Sequence, residues 1–333
     1  MEIYNSKDGL VTKFIHDDGS ETAFKNVSSC GNVLDKISGN IIPTEVDRNK
    51  FTFFLSSSVG CPIGCKFCYL TTKKYPYIEL TKDQIVSNFK EAFLYTLKNH
   101  PEIRTKYIKI GWMGMGDAYL LRGFDLYLAT KEILEWVLEE HKFCLGLDSV
   151  DISTTLPSVG SIFRLNLEYI KEYILKNLEI NKLSNGSVVR LFYSSHSVIK
   201  RQELIKSKVF NNMDSVHKNL NFLGYINREL GIDIIIHQIL LSGINDNKIE
   251  ADVLKHIADR NLKEYEVRIL RFNKCKNSKY EESEKFDELV KYYSKIFNKI
   301  KYQISAGSEI KAACGQFICK KIKKNKIKKF FIF

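Results

Sequence analysis

No stretch of this sequence approaches the roughly 20 consecutive apolar residues that a membrane-spanning helix needs, so no membrane partner is expected. The opening residues, Met1-Glu2-Ile3-Tyr4-Asn5-Ser6-Lys7-Asp8, lack the basic start and apolar run of a secretory signal, which points to a cytoplasmic location. Proline is scarce, five in 333 residues, and nowhere gathers into a linker; nor does the chain contain an internal repeat. One large domain with a short N-terminal appendage is therefore the simplest division. A fourth absence is more telling. Between Tyr69 and Asn99 there is neither a cysteine nor a histidine, directly behind the one dense run of cysteines.

That run, Val59-Gly60-Cys61-Pro62-Ile63-Gly64-Cys65-Lys66-Phe67-Cys68, spaces Cys61, Cys65 and Cys68 as C-x3-C-x2-C. A structural zinc site wants a fourth Cys or His at short spacing, which this chain withholds. Three thiolates on one loop can instead hold three irons of a [4Fe–4S] cube and leave the fourth open to a ligand. Gly60, Pro62 and Gly64 make the stretch a turn-rich loop, which argues against a chance cluster of core thiols. With eight cysteines in all and three in a ligand motif, reduced thiols are expected rather than a disulfide framework.

Hydrophobic residues make up 44% and aromatics 12%, ample for a large core. The formal charge is +12, and lysines that neutralise phosphates release counterions, so nucleic acid is a natural partner. Seven lysines crowd into residues 320–329, a segment that suits either a solvated tail or an RNA contact.

Short apolar runs alternate with amphipathic segments, the βα rhythm of a parallel sheet. Strands are expected over Phe51 to Ser58, Tyr107 to Trp112, Ser149 to Thr154, Val188 to Ser194, Ile232 to Leu241 and Tyr265 to Phe272. Thr81 with Gln84 forms a capping box ahead of an apolar face built from Ile85, Phe89, Ala92, Phe93 and Leu97. Six βα units in series predict an α/β partial (βα)6 barrel over residues 51–319, with a basic tail at 320–333. Residues 1–50 differ in texture: Asp17-Asp18-Gly19-Ser20 turns a small β-hairpin over Ile3 to Phe24, and residues 25–40 look like loop.

Barrels of this kind collect working residues at the C-terminal ends of their strands. Gly114-Met115-Gly116-Asp117 follows the second strand, where glycines admit a close ligand and Asp117 can accept from an ammonium or hydroxyl. Ser153 ends the third strand and Ser194-Ser195-His196 the fourth, residues that serve equally as caps and satisfied polar groups or as ligand contacts. Asn273 lies just past the sixth strand, as a turn former or an amide partner for a purine or carboxylate. Cys314, in Ala312-Ala313-Cys314-Gly315-Gln316, has by itself the composition of a buried structural thiol.

The cysteine spacing, with Phe67 just before Cys68, resembles the radical S-adenosylmethionine (SAM) superfamily. Adding GMG-acid, S-S-H-S and A-A-C-G-Q in that order, the chain resembles over roughly residues 51–320 the RlmN/Cfr family, radical SAM RNA methyltransferases that act on adenine carbons. The resemblance implies that Cys61, Cys65 and Cys68 hold the cluster and that Gly116, Asp117, Ser153, Ser194, Ser195, His196 and Asn273 contact SAM. It further implies that Cys314 is the cysteine that becomes methylated and that Glu21 corresponds to the proton acceptor. The activity implied is methylation of carbon 2 or carbon 8 of an adenine in ribosomal or transfer RNA. One SAM charges Cys314, and a second is cleaved to a radical that activates the new methyl. The implied partners are RNA and an electron donor such as flavodoxin or ferredoxin, acting on a monomer.

The chain departs from the family's pattern at several points. Phe54 stands where the family has the cysteine that resolves the protein–RNA adduct, which leaves Cys30, Cys275 and Cys319 as substitutes. Asp117-Ala118 replaces Glu-Pro, Ser305 to Glu309 lacks an Arg-rich run, and the helical N-terminal domain does not fit into 50 residues. A diverged radical SAM enzyme for a nucleotide, peptide or other small substrate is the alternative, and a basic protein with a structural or iron-sensing cluster is the non-enzymatic one.

Overall fold

The computed structural model describes residues 1–26, 31–34, 41–43, 48–122, 124–158, 161–178, 187–207, 213–274, 278–303, 309, 310 and 312. The strands in chain order are β1 (Glu2–Asn5), β2 (Val11–Ile15), β3 (Glu21–Lys25), β4 (Gly31–Leu34), β5 (Ile41–Pro43), β6 (Lys50–Phe54), β7 (Ser58–Val59) and β8 (Ile78–Glu79). They continue as β9 (Tyr107–Trp112), β10 (Gly146–Thr154), β11 (Val189–Ser194), β12 (Asp233–Ile239), β13 (Glu266–Leu270) and β14 (Ile300–Gln303). The helices are α1 (Tyr69–Thr72), α2 (Lys82–Asn99), α3 (Asp125–Leu134), α4 (Ser161–Asn177), α5 (Arg201–Leu204), α6 (Val216–Leu230), α7 (Lys248–Asn261) and α8 (Phe286–Ile296).

One sheet carries the fold in the order β1-β2-β3-β6-β9-β10-β11-β12-β13-β14-β4-β5, and from β6 to β14 every neighbouring pair is parallel. Alternation along each strand explains its two faces. Ile108, Ile110, Val150, Ile152, Leu191, Ile234, Ile236, Val267 and Ile269 join one core with Phe89, Phe93, Leu220, Leu254 and Val290 of the covering helices. Several intervening residues, Lys109, Asp151, Arg190, His237 and Arg268, are instead polar or charged. Lys109 Nζ lies 2.6 Å and Arg190 Nε 2.8 Å from the Asp151 carboxylate. That carboxyl stays ionised against the cost of its burial, because Arg190 and Lys109 hold it well below the usual range.

Chain connectivity shows that the sheet curls. Lys25 ends β3 and Gly31 starts β4, six residues later, a reach of at most ~21 Å. Laid flat, the eight strand spacings between β3 and β4 would separate them by roughly 38 Å. The two edges must therefore turn toward each other, as in an open barrel.

The N-terminal region is more than the hairpin expected from sequence. β1, β2 and β3 form a three-stranded meander whose last strand pairs antiparallel with β6. β4, within the stretch read as loop, pairs with β14 on the opposite edge. Edge strands with unpaired backbone groups recruit such partners, and no periodicity in residues 1–50 announces them. β14 is a seventh parallel strand beyond the six expected. The first strand ends at Phe54 rather than Ser58, because Leu55 to Ser58 turn aside to meet the loop after β9. Cys314 and the tail at 320–333 lie outside the described residues, as do Cys30, Cys275 and Cys319.

Candidate active site

The cysteine loop leaves β7 and is fastened on two sides. At Gly60, φ is +71° and an added Cβ would stand 2.3 Å from the Pro76 carbonyl oxygen; at Gly64, φ is +74° and it would stand 2.1 Å from that of Lys206. Only glycine permits both the left-handed turn and the contact with neighbouring backbone. The Lys66 amide donates to the Leu204 carbonyl (2.9 Å) and that of Lys206 to Gly64 (3.1 Å), so the short segment after α5 braces the loop. Ile63 and Phe67 are buried beneath it among Leu204, Ile205, Ile239, Leu270 and Tyr280. With those anchors inward, the three cysteines, each partly buried, border a cavity that opens partly to solvent.

Of the residues expected from sequence, Cys61, Cys65, Cys68, Gly116, Asp117, Ser153, Ser194, His196 and Asn273 all line this one cavity. Ser195 does not. It is fully buried on the other side of its strand end, where its hydroxyl accepts from Gln238 Nε2 and donates to the His237 carbonyl (3.3 Å). Glu21 does not either: it is fully buried in an ion pair with Lys13 (2.8 Å), beside a separate small hollow lined by Ser20, Thr22, Ser56 and Asn88. Glu21 is absent from the lining of the cysteine cavity.

Gly114 and Gly116 are explained by the chain itself as much as by a ligand. A Cβ at Gly114 would meet the Leu55 carbonyl oxygen at 2.6 Å, and one at Gly116, where φ is +93°, the hydroxyls of Ser57 and Ser58 at 2.3 Å. The loop after β9 is thus stitched onto Leu55 to Ser58, with the Met115 amide donating to Ser56 Oγ (2.9 Å) and the Ser57 amide to the Met115 carbonyl (2.9 Å). Asp117 is fixed next to it by the Thr155 amide and hydroxyl, each at 2.8 Å, and by the Tyr119 amide at 3.0 Å. Burial raises its pKa, and these donors oppose the rise. The Thr154 hydroxyl is a fourth donor, so the carboxylate's roughly four acceptor positions are met within the protein and a cationic ligand would meet Asp117 through its charge.

His196 sits at φ +63°, a left-handed setting uncommon for a residue other than glycine and one held by tertiary contacts. Asn245, from the turn after β12, donates to the His196 carbonyl and the Ile239 carbonyl together. Phe67 packs edge-on against the imidazole, 4.7 Å between centroids, and Nε2 lies 3.6 Å from Cys65 Sγ. Burial, and then the charge of Arg201, hold His196 neutral, with its pKa lowered to about 3. Arg201 itself is buried and has carbonyls around it: those of Ser194 (3.2 Å), Ser195 (3.0 Å), Asp214 (3.0 Å) and Thr155. Sequence reading missed Arg201, Asn245, Thr155 and His237. The proximity of Arg201 and Asn245 to the serine-histidine run and the glycine turn was a signal for two of them.

The donor set fits an iron–sulfur cube. Burial comes first in raising the thiol pKa values of Cys61 and Cys65; the charges of Asp117 and of the other cysteines add to it. Thiols that close to one another ionise together only with a compensating metal charge. Among the described residues no three His, Cys, Asp or Glu side chains close around a single metal ion.

No family model matches the chain. It is 25% identical to the probable dual-specificity RNA methyltransferase RlmN of Listeria welshimeri over 86% of its length and 72% of that protein. The protein of the same description from Shouchella clausii is 26% identical, with coverage of 86% and 74%. The fold matches the crystal structure of a radical SAM methyltransferase from Sphaerobacter thermophilus, with a TM-score of 0.62 and 19% identity over 95% of this chain and 80% of that one. These similarities support a radical SAM, RlmN-like family.

Proposed function

We propose that this chain, radical SAM in fold and RlmN-like in sequence, is an enzyme that methylates an adenine carbon in RNA by way of Cys314. The observation that carries the reading is the convergence of Cys61, Cys65 and Cys68 with Asp117, Ser153, Ser194, His196 and Asn273 around one cavity. The names of the curated relatives supply the RNA and methyl-transfer part of it.

Cys61, Cys65 and Cys68 would hold a [4Fe–4S] cluster, which supplies the electron for reductive cleavage of SAM when reduced by a flavodoxin or ferredoxin. The residues around it have separable tasks. Asp117, held in place by Thr154, Thr155 and Tyr119, would set its negative charge against the ammonium of the SAM methionine part. Ser153 and Ser194, at adjacent strand ends, offer hydroxyls to the ribose, and the Asn273 amide suits a carboxylate or purine edge. Neutral His196 sets Nε2 3.6 Å from the sulfur of Cys65, where the tautomer with its proton on Nε2 donates. The apolar wall of Ile239, Leu270 and Phe272 excludes water from a radical that would otherwise be quenched. Adenine carbons are too electron-poor to attack the SAM methyl directly, which is why a carrier thiol and a radical route suit this substrate. The target base must leave its stack to enter, so looped or single-stranded RNA is the preferred form. A cytoplasmic monomer completes the proposal; among the described residues no helix is long and apolar enough to cross a membrane.

A second reading, a diverged radical SAM enzyme with another substrate, is favoured by Phe54. Its ring fills the space over Gly111, where a Cβ would stand 2.8 Å away, and leaves no thiol at that position. Cys144 is no substitute, since it bonds the Gly146 carbonyl at the start of β10, the end of the strand remote from the cysteine loop.

Anaerobic incubation of the reduced protein with methyl-labelled SAM separates the two. Label on the Cys314 peptide together with 5′-deoxyadenosine and labelled RNA is the expected result. Deoxyadenosine with Cys314 unmodified overturns the carrier role and leaves the second reading.

A further inference from the structure

Most lysines on the outer helices have a carboxylate at hand: Lys82 with Glu132, Lys131 with Glu135, Lys218 with Asp214 and Lys248 with Glu288. Around the cysteine loop the pattern breaks. Lys66 lies within the loop, Lys73 and Lys74 follow α1, and Lys206 lies on the bracing segment; among the described residues none has a carboxylate within ion-pair distance. The stretch from Lys66 to Ile78 contains no acidic residue. Lys73, Lys74 and Lys206 are exposed, Lys73 with its Nζ 5.6 Å from the centre of the Tyr69 ring.

The same stretch exposes aromatic and aliphatic surface. Tyr77 and Ile78 are each 37% exposed. β8 pairs with β7, so Ile78 lies opposite Val59, two residues before Cys61. Tyr77 also stands near enough to the cavity mouth that Cys61 and Asp117 affect its hydroxyl, after burial and Glu79, which pushes its pKa up to about 12. Unneutralised cations beside an exposed ring make a surface for single-stranded nucleic acid, in which phosphates meet lysines and bases stack on aromatics.

We infer that Lys66, Lys73, Lys74, Lys206 and Tyr77 form a collar at the cavity mouth that grips the RNA strand flanking the target base. The inference rests on the RNA reading above and adds a location to it. An acidic electron-donor protein would also be attracted by the four charges, but it has no bases to stack on Tyr77.

The test is fluorescence anisotropy with a labelled, unstructured adenine-rich RNA, without SAM, over a series of salt concentrations. The variant Lys66→Ala/Lys73→Ala/Lys74→Ala/Lys206→Ala should lose affinity, and its salt slope should fall by about 0.7 for each lysine that contacts phosphate, about 3 in all. Tyr77→Ala should weaken binding roughly 5-fold or more, with Tyr77→Phe retaining it. An unchanged thermal midpoint identifies folded variants. If wild type binds RNA and the lysine variant matches it in affinity and slope, the collar is wrong and the RNA reading stands. Matching RNA binding together with slower reduction by an acidic flavoprotein assigns the surface to the electron donor instead, which likewise overturns the collar. Failure of the wild type to bind or methylate any RNA overturns both collar and RNA reading.

Discussion

Nε2 of His196 lies 3.6 Å from Sγ of Cys65, although 131 residues separate them in the chain. The contact joins a strand end to the cysteine loop, and Asn245 and Arg201 fix the backbone from which the histidine projects. A donor to a cluster-ligating sulfur tunes the cluster's potential. His196→Ala should therefore retain iron while shifting the reduction potential and the electron paramagnetic resonance signal of the reduced protein. An unaltered spectrum would reduce His196 to packing against Phe67.

Cys61→Ala, Cys65→Ala and Cys68→Ala should each abolish the visible absorption of the reconstituted cluster, with little effect on the fold of the iron-free protein. Retention of a full iron complement in any one of them would show that a different residue serves as ligand.

Gly64→Ala should be severe for its size. The Cβ would strike the Lys206 carbonyl at 2.1 Å from a backbone at φ +74°, so either the loop or its brace must move. A loss of about 1–3 kcal/mol of stability is expected, with weakened cluster assembly. Gly243→Ala shares a positive φ of +70° but meets nothing within 4 Å, and serves as the control for strain alone.

Arg201→Met should cost ~2–5 kcal/mol, because it strands buried carbonyls of Ser194, Ser195 and Thr155 that now accept from the guanidinium. Chemical denaturation checks the loss. A value under ~1 kcal/mol would mean that these carbonyls find other donors.

Part of the pH dependence of stability follows from His237, which, like His196, is held neutral in the fold; burial and then Arg268 lower its pKa from 6.5 to about 3. A depressed folded pKa means that the unfolded chain binds the extra proton first. The stabilisation is complete above pH 6.5 and drains away as pH falls toward 3, at up to ~1.4 kcal/mol per pH unit for this group. His237→Gln should flatten the decline of the thermal midpoint over that window; a parallel decline would assign it to other groups.

The motifs were legible in the sequence because their chemistry is local. C-x3-C-x2-C places three thiols on one turn whatever the fold, and apolar runs of strand length between amphipathic segments specify βα units with few alternatives. The capping box at Thr81 and Gln84 is present as read, for the same reason. Glu21 shows the opposite case. The family resemblance put Glu21 in the place of a proton acceptor, whereas its side chain is buried against Lys13, eight residues back across a strand pair, away from the cysteine cavity. Ser195 fails similarly: adjacent residues on a strand end point to opposite sides, and Ser194 took the cavity side.

By itself the sequence determined the cysteine loop, the order of the parallel strands and the strand ends that line the cavity, since each depends on spacing within a few residues. Only the tertiary structure decided that β3 and β4 extend opposite edges of a curled sheet, that Gly114 and Gly116 are demanded by Leu55 to Ser58, and that Arg201 and Asn245 hold the mouth in place. Those outcomes depend on which distant backbone groups come within hydrogen-bonding reach, and hydrogen-bond complementarity across the fold leaves no periodic trace in the chain.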